Sequence, residues 1–90
     1  MIKFNEFTNI DKNSYIPLYV QLSDILAKYI RENNLDEGDS IPSENDLTIY
    51  YGISRNTVRQ AFQILESQDI IRRVRGKGTF VTRSKKKNNP

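Results

Sequence analysis

Side chains able to hydrogen-bond to base edges and phosphates are concentrated between residues 54 and 60. Arginine, asparagine and glutamine present several donors or acceptors on a planar group, which is the chemistry that distinguishes base pairs in the major groove. Hydroxyl groups can contact bases or phosphates as well. The solvated face of any helix would explain one such residue, and a serine or threonine can act only as a cap. The candidates for DNA contact here are Ser54, Arg55, Asn56, Thr57, Arg59 and Gln60.

A second group of cations surrounds two glycines further along the chain. Gly76 and Gly78 allow a tight turn and a close approach of the backbone, while the neighbouring cations attract phosphate. In an ordinary hairpin the glycines would serve the turn alone. The residues predicted to contact DNA in this group are Arg72, Arg73, Arg75, Gly76, Lys77, Gly78 and Thr79.

The charge of the chain is unevenly distributed. Residues 1–54 contain four basic and nine acidic side chains, whereas residues 55–90 contain ten basic and two acidic ones. A basic tail would explain the three lysines at 85–87 but not the five arginines that precede position 83 in this half. Such segregation is typical of a surface that binds nucleic acid.

Composition argues against several other classes of function. The sequence has no cysteine and no histidine, which excludes disulfides, thiolate metal sites and the commonest general base. No nucleophile is paired with a base, so we expect neither an enzyme nor a bound cofactor. No apolar run approaches the roughly 20 residues that span a bilayer, and the acidic N-terminus is unlike a signal peptide. A cytoplasmic protein without a membrane partner is expected.

The hydrophobic pattern predicts three helices that position the candidate residues. Apolar residues at helical spacing predict a helix over 17–33, opened by a proline and ended by Asn33 and Asn34. Ser43, followed by Asp46, forms a capping-box pattern, and the helix start it caps would also attract phosphate. Gly52 ends this second helix, and Ser54 begins a third. The apolar stripe of the third helix consists of Val58, Ala61, Phe62 and Leu65.

Two β-strands are predicted after the third helix. The segments 70–74 and 79–82 are rich in β-branched residues, and the loop at 75–78 joins them as a hairpin; residues 40–41 can add a very short strand. Two short helices joined through a glycine and followed by this hairpin predict an α+β fold, a winged helix-turn-helix with three helices and a β-hairpin wing. We assign 1–15 to an N-terminal arm, 16–83 to the domain and 84–90 to a linker.

Four segments together resemble the DNA-binding domain of GntR-family regulators. They are P-L-Y-V-Q-L (17–22), I-P-S-E-N-D-L (41–47), Y-G-I-S-R-N-T-V-R-Q-A (51–61) and G-K-G-T-F-V (76–81). The last two resemble the HutC-like subfamily most. The resemblance implies that residues 55–60 form the recognition helix and that Gly76 lies at the wing tip near the minor groove. Asn45, which stands where relatives usually carry a DNA-contacting arginine, is a further candidate for DNA contact. Asp69 replaces a common glycine, which is tolerable because aspartate can enter the left-handed region.

The resemblance also implies the partners. They are double-stranded, pseudo-palindromic operator DNA, a second copy of the full-length protein, and a small-molecule effector bound by a domain absent from these residues, which fits a metabolite-responsive repressor. One alternative is a winged-helix module that binds a protein, which predicts an exposed apolar patch instead of a basic face. Another is the head of a regulator fused to an aminotransferase-like domain, as in MocR-type members, which differs only in the domain that continues the chain after residue 90.

Overall fold

The computed structural model describes residues 9–82 of the chain. The predicted arm up to residue 8 and the predicted linker at 84–90 lie outside the described residues. The helices and strands follow in the order α1 (Leu18–Glu32), β1 (Ser40–Ile41), α2 (Glu44–Tyr51), α3 (Arg55–Ser67), β2 (Ile71–Val74) and β3 (Gly78–Val81). The predicted α+β class and winged helix-turn-helix arrangement are therefore confirmed.

The first helix begins one residue later than the sequence predicts. Pro17 is its N-cap residue, with an extended ψ of 146°, and its carbonyl accepts hydrogen bonds from the N–H groups of Val20 and Gln21, both at 3.1 Å. A proline fits at this boundary because its missing N–H would have no partner inside the helix. The apolar stripe then buries Leu22 and Leu26 completely.

The two longer helices end in the same way. Asn34 after α1 and Asp69 after α3 adopt left-handed φ values of 52° and 60°. The N–H of Leu35 then donates to the carbonyl of Ile30 at 3.1 Å, and the N–H of Ile70 donates to the carbonyl of Leu65 at 2.9 Å. This is the Schellman arrangement, which satisfies carbonyls at a helix end. Asn34 thus supplies the left-handed residue at the end of α1, and Asp69 supplies it at the end of α3.

The core lies between the three helices and one face of the sheet. Phe62 of α3 is fully buried in this core. Replacing it with alanine would therefore lower the free energy of unfolding by about 3–5 kcal/mol. All four residues of the predicted α3 stripe are buried. Among residues 9–82, the buried apolar cluster comprises Leu22, Leu26, Ile30, Ile41, Leu47, Tyr51, Ile53, Val58, Ala61, Phe62, Leu65, Ile71 and Val81.

The wing is a three-stranded antiparallel sheet in the order β1-β3-β2. Its hairpin turn contains three residues, one fewer than predicted, because Gly78 already pairs with Val74. The N–H of Lys77 donates to the carbonyl of Val74 at 2.9 Å, and Gly76 lies between them with a φ of 78°. A positive φ at the third position of a four-residue turn favours glycine.

Residues 9–16, most of which belong to the predicted arm, contact the domain through hydrogen bonds and apolar packing. The amide of Gln21 on α1 accepts from the N–H of Asp11 at 2.9 Å and donates to the carbonyl of Ile16 at 2.8 Å. Ile10 packs against the core. The ammonium group of Lys12 donates to the carbonyl of Gly52 at 3.1 Å, where a cation is favoured by the dipole of α2.

Candidate nucleic-acid interface

The caps of α2 and α3 fix the geometry of the helix-turn-helix. The Ser43 hydroxyl accepts from the N–H of Asp46 at 3.0 Å, and the Asp46 carboxylate accepts from the N–H of Ser43 at 3.3 Å. Gly52 closes α2 in a left-handed conformation with a φ of 65°. The Ser54 hydroxyl accepts from the N–H of Thr57 at 3.1 Å and lies 2.9 Å from the Thr57 hydroxyl. The hydroxyls of Ser43 and Ser54 therefore act as caps, and the Thr57 hydroxyl contacts the Ser54 cap.

The outer face of α3 carries the polar residues that the sequence singled out. Arg55, Asn56, Arg59 and Gln60 are exposed, whereas Thr57 is half-buried. The arginine side chains at 55 and 59 retain about half of their exposure, 48% and 53%. The same helix thus packs through one side and offers forked hydrogen-bonding groups on the other, which is what entry into a major groove requires.

The carboxylate of Glu44 forms ion pairs with three arginines of α3 and the wing. Its oxygens lie 3.5 Å from Nη1 of Arg55, 3.0 Å from Nε of Arg59 and 3.6 Å from Nη1 of Arg73. The Glu44 side chain is only 21% exposed, so the three cations shield it. This arrangement limits the arginines to a few orientations before any ligand binds.

The pleat of β2 separates two arginines that are adjacent in the sequence. Arg73 pairs with Thr79 across the sheet, whereas Arg72 pairs with Phe80 on the opposite face. Arg73 donates to the Glu66 carboxylate at 2.8 Å and lies 5.9 Å from the centre of the Phe62 ring. Both arginines are exposed, but Arg73 connects the wing to the helices through its ion pairs, whereas Arg72 has no ion pair within residues 9–82.

The wing tip presents its remaining predicted residues in different ways. Arg75 and Lys77 are exposed and have no ion pair within residues 9–82. Gly76 faces open space, since a Cβ built there would meet no atom within 4 Å. Thr79 is 4% exposed, so its side chain offers little surface to DNA. The sequence pattern predicts a DNA contact for Thr79 because it does not show which face of β3 is buried.

A groove of about 310 Å³ runs between the helix-turn-helix and the wing. It brings together residues from α2, α3 and the hairpin that lie far apart in the chain. Eight of its lining residues are among those predicted from the sequence to contact DNA: Ser43, Asn45, Arg55, Arg73, Arg75, Gly76, Gly78 and Thr79. Val74 and Glu44 complete it. The remaining predicted residues, Ser54, Asn56, Thr57, Arg59, Gln60, Arg72 and Lys77, lie outside this lining.

Sequence reasoning missed both carboxylates that organise the arginines. Glu44 and Glu66 were counted only as opposing charges, although an acid within a basic surface is a signal that pairing can occur. Glu44 lies 11 to 29 positions from its partners, and Glu66 lies seven positions from Arg73. Only the folded chain identifies which arginines each one holds.

The helix-turn-helix also buries a tyrosine at its turn. Burial raises the pKa of Tyr51 to about 12, and the neighbouring Tyr50 adds to the increase. The two rings meet edge to face with centroids 4.8 Å apart. Among residues 9–82, no three acidic side chains gather as a metal site would need, and no helix in that range is long and apolar enough to cross a membrane.

The fold and the groove define a winged helix-turn-helix domain with a basic face. The family model for bacterial regulatory proteins of the gntR family matches residues 18–81. The chain therefore belongs to the gntR family of bacterial regulatory proteins.

Curated relatives of the chain are longer regulators. It is 40% identical over 77 residues to the HTH-type transcriptional repressor NagR of Bacillus subtilis (strain 168), an alignment that covers 86% of the chain and 32% of NagR. It is 42% identical over 65 residues to the mannosyl-D-glycerate transport/metabolism system repressor MngR of Escherichia coli (strain K12), covering 72% of the chain and 27% of MngR. The chain thus spans about a third or less of each relative.

Solved structures share the fold. A transcriptional antiterminator from Listeria monocytogenes EGD-e superposes with a TM-score of 0.80 at 32% identity, covering 92% of the chain and 62% of that protein. The AraR DNA-binding domain in complex with its operator ORR3 superposes with a TM-score of 0.67 at 32% identity, covering 83% and 93% respectively.

Proposed function

We propose that the chain binds a specific sequence of double-stranded DNA and serves transcriptional repression. The observation that carries this proposal is the groove, in which residues selected for their base- and phosphate-binding chemistry meet. The operator complex of the AraR domain and the repressor names of NagR and MngR support it. This is a binding function, and family membership supports a regulator rather than an enzyme.

The proposal extends to the whole regulator. Because one recognition helix reads only a few base pairs, the full-length protein binds as a homodimer to a pseudo-palindromic operator. A small-molecule effector binds to a domain outside these residues, in a cytoplasmic regulator of the HutC-like subfamily. The greater length of the relatives and the resemblance of residues 51–61 and 76–81 support this part.

Selection from a random pool of DNA duplexes, followed by a salt titration, tests the proposal. Arg72, Arg75 and Lys77 have no ion pair within the described residues, while Arg55 and Arg59 share Glu44. We therefore expect the logarithm of affinity to fall with the logarithm of salt concentration with a slope between about −3 and −5, at about 0.9 per phosphate neutralised. Lys77→Ala should reduce the slope by about 1, and the matched control Lys28→Ala, at an exposed position of α1, should leave it unchanged.

A second candidate function, binding to a protein partner, would use exposed apolar side chains instead of the basic groove. Tyr15, Ile16, Ile49 and Tyr50 are exposed large apolar residues, and Ile49 is 71% exposed. Such residues favour a module that binds a protein partner. The titration separates the two candidates, because a chain that selects no duplex sequence and shows a flat salt response would support the protein-binding function and contradict the DNA-binding one.

A further inference from the structure

Asn45 connects the start of α2 to the start of the recognition helix. It is the second residue of α2 and is exposed at the groove. Its carbonyl oxygen Oδ1 accepts a hydrogen bond from Nη2 of Arg55 at 3.3 Å. Arg55 is the first residue of α3, so this contact crosses the turn of the helix-turn-helix.

The guanidinium of Arg55 is held on two of its nitrogens. Nη1 lies 3.5 Å from Oε1 of Glu44, while Nη2 donates to Asn45. A guanidinium is rigid and planar, so two contacts at different nitrogens restrict the orientation of its plane. With 48% of the side chain exposed and five N–H donors in the group, further donors remain for a ligand in the groove.

We infer that Asn45 is a specificity-determining residue that acts through Arg55. By holding Nη2 it sets the plane of the guanidinium, and with it the base edge that Arg55 reads. Bidentate recognition of guanine needs both donors in the plane of the base. Glu44 alone leaves the group free to turn about the Nη1 contact, because a single ion pair at 3.5 Å constrains direction poorly. This inference rests on the proposed function.

The chemistry at position 45 decides how Arg55 is held. Asparagine offers a neutral acceptor to Nη2 and keeps its own amide N–H groups for solvent or DNA. Alanine would remove the acceptor, whereas aspartate would keep an acceptor of the same size. Arginine would place a second cation beside Arg55 and compete for the Glu44 carboxylate. These substitutions separate the acceptor from the bulk and charge of the side chain.

The test measures base preference position by position. The 90-residue chain, Asn45→Ala, Asn45→Asp and Arg55→Ala are each presented with a random duplex pool, and then with the preferred duplex carrying single base-pair changes. Gln68→Ala serves as the control, since Gln68 is exposed at the other end of α3, about 20 Å along the helix axis. Thermal unfolding of each variant verifies folding.

We expect Asn45→Ala and Arg55→Ala to lose preference at the same base pairs, with discrimination at those pairs reduced about 5- to 20-fold for Asn45→Ala. Asn45→Asp should restore the wild-type preference, although it binds all duplexes somewhat more weakly. The double variant Asn45→Ala, Arg55→Ala should discriminate no worse than Arg55→Ala alone, because Asn45 acts through Arg55. Gln68→Ala should keep the wild-type profile.

Three results would overturn the inference and leave the proposed function standing. An Asn45→Ala profile equal to that of the wild type would show that the contact between Asn45 and Arg55 does not affect base preference. Loss of preference at base pairs that Arg55→Ala leaves intact would mean that Asn45 reads a base by itself. The same loss in Gln68→Ala would indicate a general effect of substitution. A wild-type chain that selects no sequence would overturn the proposed function together with the inference.

Discussion

Removing the charge of Glu44 tests whether its carboxylate organises the basic face. Glu44→Gln keeps the size of the side chain but removes the charge that attracts Arg55, Arg59 and Arg73, and it replaces one acceptor oxygen with an NH2 donor. Glu44 is also the first residue of α2, where a negative charge is favoured by the helix dipole. The substitution therefore removes two stabilising electrostatic effects and leaves the packing intact.

The exposure of the arginines sets the size of the effect. Arg55 and Arg59 are about half exposed, so each of their pairs contributes a few tenths of a kcal/mol at most. Arg73, at 34% exposure, lies at the upper end of the range for surface pairs, at about 1 kcal/mol. Because one carboxylate serves all three, the contributions do not add. With the dipole included, we expect a loss of roughly 1–2 kcal/mol.

Thermal unfolding at low and high salt measures the loss. For a domain of this size, 1 kcal/mol corresponds to about 4–8 °C in Tm, and most of the difference should vanish at about 1 M salt, where the Debye length is near 3 Å. Glu66→Gln is the matched control. It removes one pair with Arg73 at 2.8 Å, but Glu66 lies in the last turn of α3, where loss of a negative charge relieves the dipole.

The two substitutions together can refute the reasoning. We expect Glu66→Gln to lower the stability by less than half of the Glu44→Gln effect. An unchanged Tm for Glu44→Gln at low salt would show that the three contacts contribute nothing in the free domain. A decrease that persists at 1 M salt would mean that hydrogen bonding or packing around Glu44, and not its charge, was lost.

Other consequences of the structure can be measured in the same variants and assays. Gly76→Ala should lower the free energy of unfolding by about 1–2 kcal/mol, because Gly76 has a left-handed φ that alanine adopts only with strain. Gly76→Asn should lower it less. Equal stability of the wild type and both variants would show that position 76 imposes no backbone strain. The raised pKa of Tyr51 contributes up to about 3 kcal/mol of stability, which is present below pH 10 and lost as pH rises toward 12. Tyr51→Phe should flatten this decline of stability with pH. Parallel curves of stability against pH for the wild type and Tyr51→Phe would refute the prediction. Fusing the chain to an unrelated dimeriser should raise operator avidity by roughly 10²–10⁴; a bare chain that is already a tight dimer would contradict the proposal that dimerisation depends on residues outside this chain.

Local features of the sequence determine the helices, their ends and the hairpin. The capping box at Ser43 and Asp46, the serine cap of α3 and the left-handed Asp69 all form as predicted, since each depends on residues within a few positions of one another. The apolar stripes likewise identify the core-facing sides of α1 and α3. Small errors occur at element boundaries. The starts of α1, β2 and β3 and the ends of α1 and β3 each differ from the predicted position by one residue.

Contacts between distant segments were decided by the tertiary structure alone. The residue types at 54–60 and 72–79 predict a basic face, but they do not show that Arg73 turns inward to Glu66 while Arg72 turns outward, or that Thr79 is buried. The reason is that strand register and helix packing choose which face of β2 and β3 meets the core. Glu44 gains its three partners, and Asn45 its contact with Arg55, only when α2, α3 and the wing converge. Composition and spacing therefore supply the charges and the donors, and the long-range packing decides which of them are paired and which remain free to bind.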